Sequence, residues 1–175
     1  MVALREYPDL DPLILEAFLA VKREFFVPKS DRAQLRGEAL HLPFDIQPLN
    51  TRLAPPILHL IALRALQIQP GMDCLDIGCG TGYTTALLHA IATSSASARV
   101  LGIDLSPGLV EIARTILHRV YPTSAQLLTH NAFDEFPAPM NLFDRIYAGA
   151  QCHRTLLFRL SYVNSFPSSS NSIVH

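Results

Sequence analysis

Cys74-Leu75-Asp76-Ile77-Gly78-Cys79-Gly80-Thr81-Gly82-Tyr83 begins in the pattern of a strand and ends in that of a helix. Residues 73–77 form a short, largely apolar run that stops at a glycine, as a strand buried on both faces of a parallel sheet does. Glycines at 78, 80 and 82 then let the backbone turn sharply and come close to a ligand. A helix over residues 83–92 would aim its free N–H groups at that ligand. Two cofactor classes use such a turn. The dinucleotide pattern G-x-G-x-x-G requires a glycine at 83, where this chain has Tyr83.

Working outward, strand and helix alternate. Residues 100–103 read as a second strand. Ser106 and Pro107 then cap and open a helix with Leu109, Val110, Ala113, Ile116 and Leu117 on one face. Residues 126–129 give a third strand and residues 143–148 a fourth. This order predicts an α/β fold with an open, mostly parallel sheet and right-handed crossovers. Asp104 falls at the end of the second strand, 22 residues after Gly82, where a carboxylate can accept both hydroxyls of a ribose. Asn131 lies just past the third strand, where its amide can read an adenine edge. An acid followed by three glycines at two-residue intervals, Asp76-x-Gly78-x-Gly80-x-Gly82, resembles motif I of class I methyltransferases. The resemblance implies S-adenosylmethionine as cofactor, held by Asp76, Gly78, Gly80, Gly82, Tyr83, Asp104 and Asn131.

The flanks are less regular. Asp11-Pro12 starts a helix whose Leu13, Ile14, Ala17, Phe18 and Val21 recur at helical spacing. Phe25-Phe26 is a core anchor for it. Residues 29–56 carry four prolines beyond Pro28 and read as an ordered loop with short helical turns. A helix over residues 56–66 follows, ended by Gln69-Pro70-Gly71. Residues 155–160 look like the start of another helix. Residues 161–175 hold six serines without periodicity and read as a disordered tail. The expected organisation is one domain over 1–160, with a helical part (1–70) and a Rossmann-like core (71–160). The sheet is expected to be truncated after the fourth strand, as in a shortened or alternatively spliced product. That strand would be an exposed edge open to self-association.

Composition narrows the classes. Of 175 residues, 49% are hydrophobic and 17% charged, and the net charge is −1. Such a chain has a real core and no field that recruits nucleic acid or an anionic membrane, so neither is expected as a partner. Three cysteines are an odd count and suggest a reducing, cytoplasmic setting without a disulfide framework. The stretch MVALREYPDLD lacks the apolar core of a signal peptide, and no run is long enough to span a bilayer. Cys74 and Cys79 lack the spacing and histidines of a metal site, so no metal is expected. Cys152-His153 reads as plain loop beside the expected cleft, and His130 either flanks the adenine or packs at a strand end.

LAVKREFFVP (19–28), Leu53-Ala54-Pro55-Pro56, LQIQPG (66–71), CLDIGCGTGY (74–83) and FDRIYAGA (143–150) together resemble the protein-L-isoaspartate O-methyltransferases over residues 13–160. LQIQPG and FDRIYAGAQ are also similar to the family's divergent methyltransferase domain-containing branch. Asn131, where family members typically carry Asp, points the same way. The resemblance implies an S-adenosylmethionine-dependent carboxyl methyltransferase that repairs proteins and peptides containing isoaspartyl residues. It places Thr51-Arg52-Leu53-Ala54-Pro55 on the family's Thr-hydrophobic-Ser-Ala-Pro substrate loop, which makes Thr51, Arg52 and Leu53 the candidate catalytic positions. Arg52 offers a guanidinium to the substrate carboxylate, and Leu53 replaces the loop's serine hydroxyl. A second reading, which Leu53 favours, is a weak or inactive cofactor-binding adaptor that recognises damaged proteins.

Overall fold

The computed structural model describes residues 9–35, 41–47, 49–121, 123–135, 142–149 and 172–174. The first helix, α1 (Pro12–Ala20), starts where Asp11 caps it: the Leu13 N–H donates to Asp11 Oδ1 over 2.8 Å. Single 3₁₀ turns follow at Arg23–Phe26 and Arg32–Gln34. The expected loop over 29–56 is in part an antiparallel hairpin instead, with β1 (Phe44–Ile46) paired to β2 (Thr51–Leu53). Its strands are three residues each, too short for alternation to show in the sequence. Helix α2 (Pro56–Leu66) ends at Gln67 in the left-handed conformation.

The core follows the expected order: β3 (Cys74–Ile77), α3 (Tyr83–Ala92), β4 (Val100–Asp104), α4 (Pro107–Val120), β5 (Gln126–Thr129) and β6 (Arg145–Ala148). All its strands are parallel, and their spatial order is β5-β4-β3-β6, extended by β7 (Ser172–Val174). This corrects two expectations. Residues 172–174 form a strand rather than disordered tail, and the fourth core strand is not the exposed edge. The physical reason is the unpaired backbone along β6, whose N–H and C=O groups are satisfied by pairing with β7. The expected helix over 155–160, the Cys152-His153 loop and tail residues 161–171 lie outside the described residues.

Alternation sorts the strands cleanly. Cys74, Val100, Leu127 and Tyr147 face the larger core with α1, α2, α3 and α4. Leu75, Ile77, Leu101, Ile103, Ile146 and Ala148 form a second buried cluster on the other face. Each strand is thereby apolar on both sides, as parallel strands in an α/β sheet are. Strand order reverses at β3, with β4 on one side and β6 on the other, which puts a crevice at the C-terminal ends of these strands.

Candidate functional site

The glycine turn leaves β3 directly over this crevice. Gly78 and Cys79 both donate their N–H to Ile103 O of β4, at 2.8 and 2.9 Å. Gly80 has φ +54°, a left-handed conformation that side chains other than Asn and Asp rarely adopt. Its N–H donates to Asp104 Oδ2 at 3.0 Å. Gly82 has φ +90°, and a methyl group there would lie 3.3 Å from Ala113 Cβ, so its missing side chain lets α3 and α4 close together.

Asp104 is half-buried at the C-terminal end of β4. Oδ2 holds Gly80, and Oδ1 accepts the Ser106 N–H at 2.9 Å. Each oxygen keeps a further lone pair for a ligand hydroxyl. The His130 N–H donates to Asp104 O at 3.0 Å, which draws the end of β5 alongside. Asn131 follows, with Oδ1 accepting the Phe133 N–H at 3.1 Å in the turn that leaves β5. The glycine turn, Asp104 and Asn131 thus meet at one end of the sheet.

Asp76 sits beneath the turn, fully buried. Thr85 Oγ1 donates to its Oδ2 at 2.6 Å, while Oδ1 has no hydrogen-bond partner among the described residues. Burial, opposed by the Thr85 hydrogen bond and reinforced by the Asp104 charge, pushes the carboxyl from 3.8 up to about 7. The Tyr83 side chain, expected at the cofactor, is instead core: its ring packs edge-on to Phe26 at 5.2 Å and to His59 at 5.0 Å. An aromatic ring gains more from apolar burial than from a polar rim. What residue 83 leaves at the cleft is the backbone of the first turn of α3.

Of the three substrate-loop positions, the structure brings one to the cleft. Thr51 Oγ1 lies 3.6 Å from the point a Gly80 side chain would occupy, so β2 abuts the glycine turn. Arg52 turns outward and pairs with its cross-strand neighbour Asp45, with Nη2 donating to Oδ2 at 3.1 Å. The Leu53 side chain is buried in the main core. Both placements correct the expected roles, because β alternation sends residues 51 and 53 inward and residue 52 to solvent.

Sequence reasoning missed the residues that hold this strap. Arg23 is 3% exposed, and its Nη2 donates to Leu42 O, Leu53 O and Ala54 O at 2.8, 3.2 and 3.1 Å. His59, also buried, shares a 3.2 Å hydrogen bond with Thr84 Oγ1 through Nδ1. Burial, aided by the Arg23 charge, holds His59 down at about 4, so the ring is neutral. Arg23 and His59 therefore tie the strap and α2 to the start of α3. A basic residue beside Phe25-Phe26 and a histidine in an apolar helix carry no signal of such contacts.

The sequence model of the protein-L-isoaspartate(D-aspartate) O-methyltransferases matches residues 3–155. A protein-L-isoaspartate O-methyltransferase of Magnetococcus marinus is 30% identical over 150 residues, covering 86% of this chain and 61% of the relative. One from Aeropyrum pernix is 35% identical over 106 residues, covering 61% of this chain and 38% of the relative. The chain thus spans only part of the length of the curated relatives it matches. Among solved structures, a Plasmodium falciparum protein described as a putative protein-L-isoaspartate O-methyltransferase in complex with S-adenosyl-L-homocysteine superposes with TM-score 0.70 and 20% identity. That match covers 91% of this chain and 75% of the other. A second structure of that enzyme name gives TM-score 0.69 and 21% identity over 84% of this chain and 45% of the other. The fold is that of a class I methyltransferase, and the chain belongs to the protein-L-isoaspartate(D-aspartate) O-methyltransferase family.

Proposed function

We propose that this chain binds S-adenosylmethionine in the cleft over β3 and β4 and carries out methyl transfer to the free carboxylate of isoaspartyl residues in damaged proteins. The observation that carries this reading is the convergence on Gly80. Its N–H is held by Asp104, its missing side chain leaves room below Thr51, and the first turn of α3 begins three residues on. The residues fit such a cofactor. Asp104 retains acceptor capacity for ribose hydroxyls, Asn131 lies just past β5 for the adenine, and the unpartnered Asp76 Oδ1 is an acceptor under the turn. Family membership and the named relatives support the substrate class.

Bound S-adenosylmethionine supplies an electrophilic methyl group on a positively charged sulfur. The chain's own work is positional. An isoaspartyl α-carboxylate with a pKa near ~4 is already ionised at neutral pH, so no general base has to act on it. The strap of β2, pinned by Arg23, presents Thr51 at the glycine turn and helps exclude water from the cleft. Because the isoaspartyl carboxylate is ionised, accepting the methyl group would require no proton to be held or moved by the chain, only in-line placement of the acceptor. The methyl ester would then close on the following backbone amide nitrogen with loss of methanol, giving a succinimide that water can reopen as normal aspartate, which is the repair. Labelled S-adenosylmethionine offered with an isoaspartyl peptide and its normal-aspartyl control tests the reading. Label in the first peptide alone is expected; equal label in both, or in neither, would overturn it.

A further inference from the structure

We propose that the Tyr147 hydroxyl binds the carboxylate of the methyl acceptor. This assignment rests on the proposed carboxyl methyl transfer and adds a specificity-determining residue to it. The topology sets the location. Asp104 ends β4 on one side of β3, whereas Tyr147 sits near the end of β6 on the other, in register with Asp76. A cofactor with its ribose at Asp104 and the rest along the glycine turn over β3 would leave the β6 side open to the acceptor.

The same face and the same end receive the strap. Arg145, two residues earlier on β6, donates through Nε to Leu66 O at the C-terminal end of α2, at 2.6 Å. That bond ties β6 to α2, while Thr51 of β2 reaches the glycine turn and Leu53 lies in the same core that Tyr147 packs against.

The ring is held in place by a glycine. A methyl group on Gly149 would sit 2.7 Å from Tyr147 Cε1 and 3.3 Å from both Cζ and Oη. Gly149 is itself fixed, its N–H donating to Ile77 O at 3.0 Å, and it is exposed at the rim. Tyr147 thus packs against the main core, with its hydroxyl end beside the exposed Gly149. The residue is half-buried, and its hydroxyl makes no hydrogen bond among the described residues. Burial, with the Asp76 charge second, pushes the phenol up to about 12, so it stays a donor at any working pH. A carboxylate is an acceptor only, and a hydroxyl donating to it makes a short, strong hydrogen bond. With Leu53 turned into the core, Tyr147 supplies a hydroxyl to the acceptor side that the strap does not offer at residue 53.

The test compares wild type, Tyr147→Phe and Gly149→Ala in methyl transfer to an isoaspartyl peptide, with its α-carboxamide analogue as competitor. In Tyr147→Phe the KM for the peptide is expected to rise about tenfold or more, the scale of one lost hydrogen bond to a charge. Its affinity for S-adenosylhomocysteine and its melting temperature should stay at wild-type values. Preference for the peptide over its carboxamide should shrink as well, which a role in packing alone would not produce. Gly149→Ala, which forces the ring to turn, should raise KM in the same direction. A wild type that methylates the peptide, with a Tyr147→Phe KM within twofold of it, overturns this assignment alone. A wild type that neither binds nor methylates the peptide removes the substrate reading and this assignment together.

Discussion

Asp104 serves two masters at once: it braces the glycine turn through Gly80 and presents the lone pairs that a ribose would use. Asp104→Ala should therefore weaken S-adenosylmethionine binding by about 1.5–3 kcal/mol for each charge-assisted hydrogen bond lost. Gly80→Val should abolish it, because a β-branched residue cannot hold φ +54° without strain and its bulk would meet Thr51. Calorimetry checks both, and undiminished binding in the two variants would remove the cleft from consideration. Leu53 carries a different expectation. Its resemblance-based role suggests that Leu53→Ser restores a missing substrate contact, but its side chain lies in the core. The substitution should instead cost about 2–5 kcal/mol through a cavity and a buried hydroxyl, read as a lower urea midpoint.

Among the elements, β4 and α3 are locked together at one point. Gly102 faces α3, and a methyl group there would lie 2.7 Å from both Thr85 Oγ1 and Leu127 Cδ2. Its missing side chain is what lets Thr85 reach down to Asp76 under the turn. Gly102→Ala should cost about 1–3 kcal/mol by overpacking. It should also weaken cofactor binding, because the Thr85–Asp76 contact supports the start of α3. Wild-type stability in that variant would show that the sheet and helix separate freely here. The hairpin of β1 and β2 is held by different means, since Arg23 donates to the carbonyls of Leu53 and Ala54 where β2 ends.

Across the whole molecule, two buried titratable groups pull stability in opposite directions. Asp76 is raised from 3.8 to about 7, so the folded state binds a proton that the unfolded chain lacks. Its contribution is fully present below 3.8 and is lost as pH rises toward 7. His59 is lowered from 6.5 to about 4, so its contribution is fully present above 6.5 and is lost as pH falls toward 4. Between about pH 4 and 6.5 the two slopes oppose, and removing either group should expose the other. Asp76→Asn is expected to melt at lower temperature as pH falls through that window, and His59→Gln at higher temperature. Melting curves that slope the same way in both variants would contradict the assignment.

Local patterns carried much of this protein. The glycines from 78 to 82, Asp104 at a strand end and the caps at Asp11 and Ser106 act through backbone conformation and nearest neighbours, so they were legible without a fold. The apolar run that marks β3 as buried on both faces was legible for the same reason. Tertiary packing decided what depends on partners far apart in the chain. It turned Tyr83 and Leu53 into the core, paired Arg52 with Asp45, brought Arg23 to carbonyls 30 residues away and added β7 beside β6. The physical reason is that a side chain's direction in a short strand or first helical turn follows from register and packing, and neither is encoded within a few residues of it.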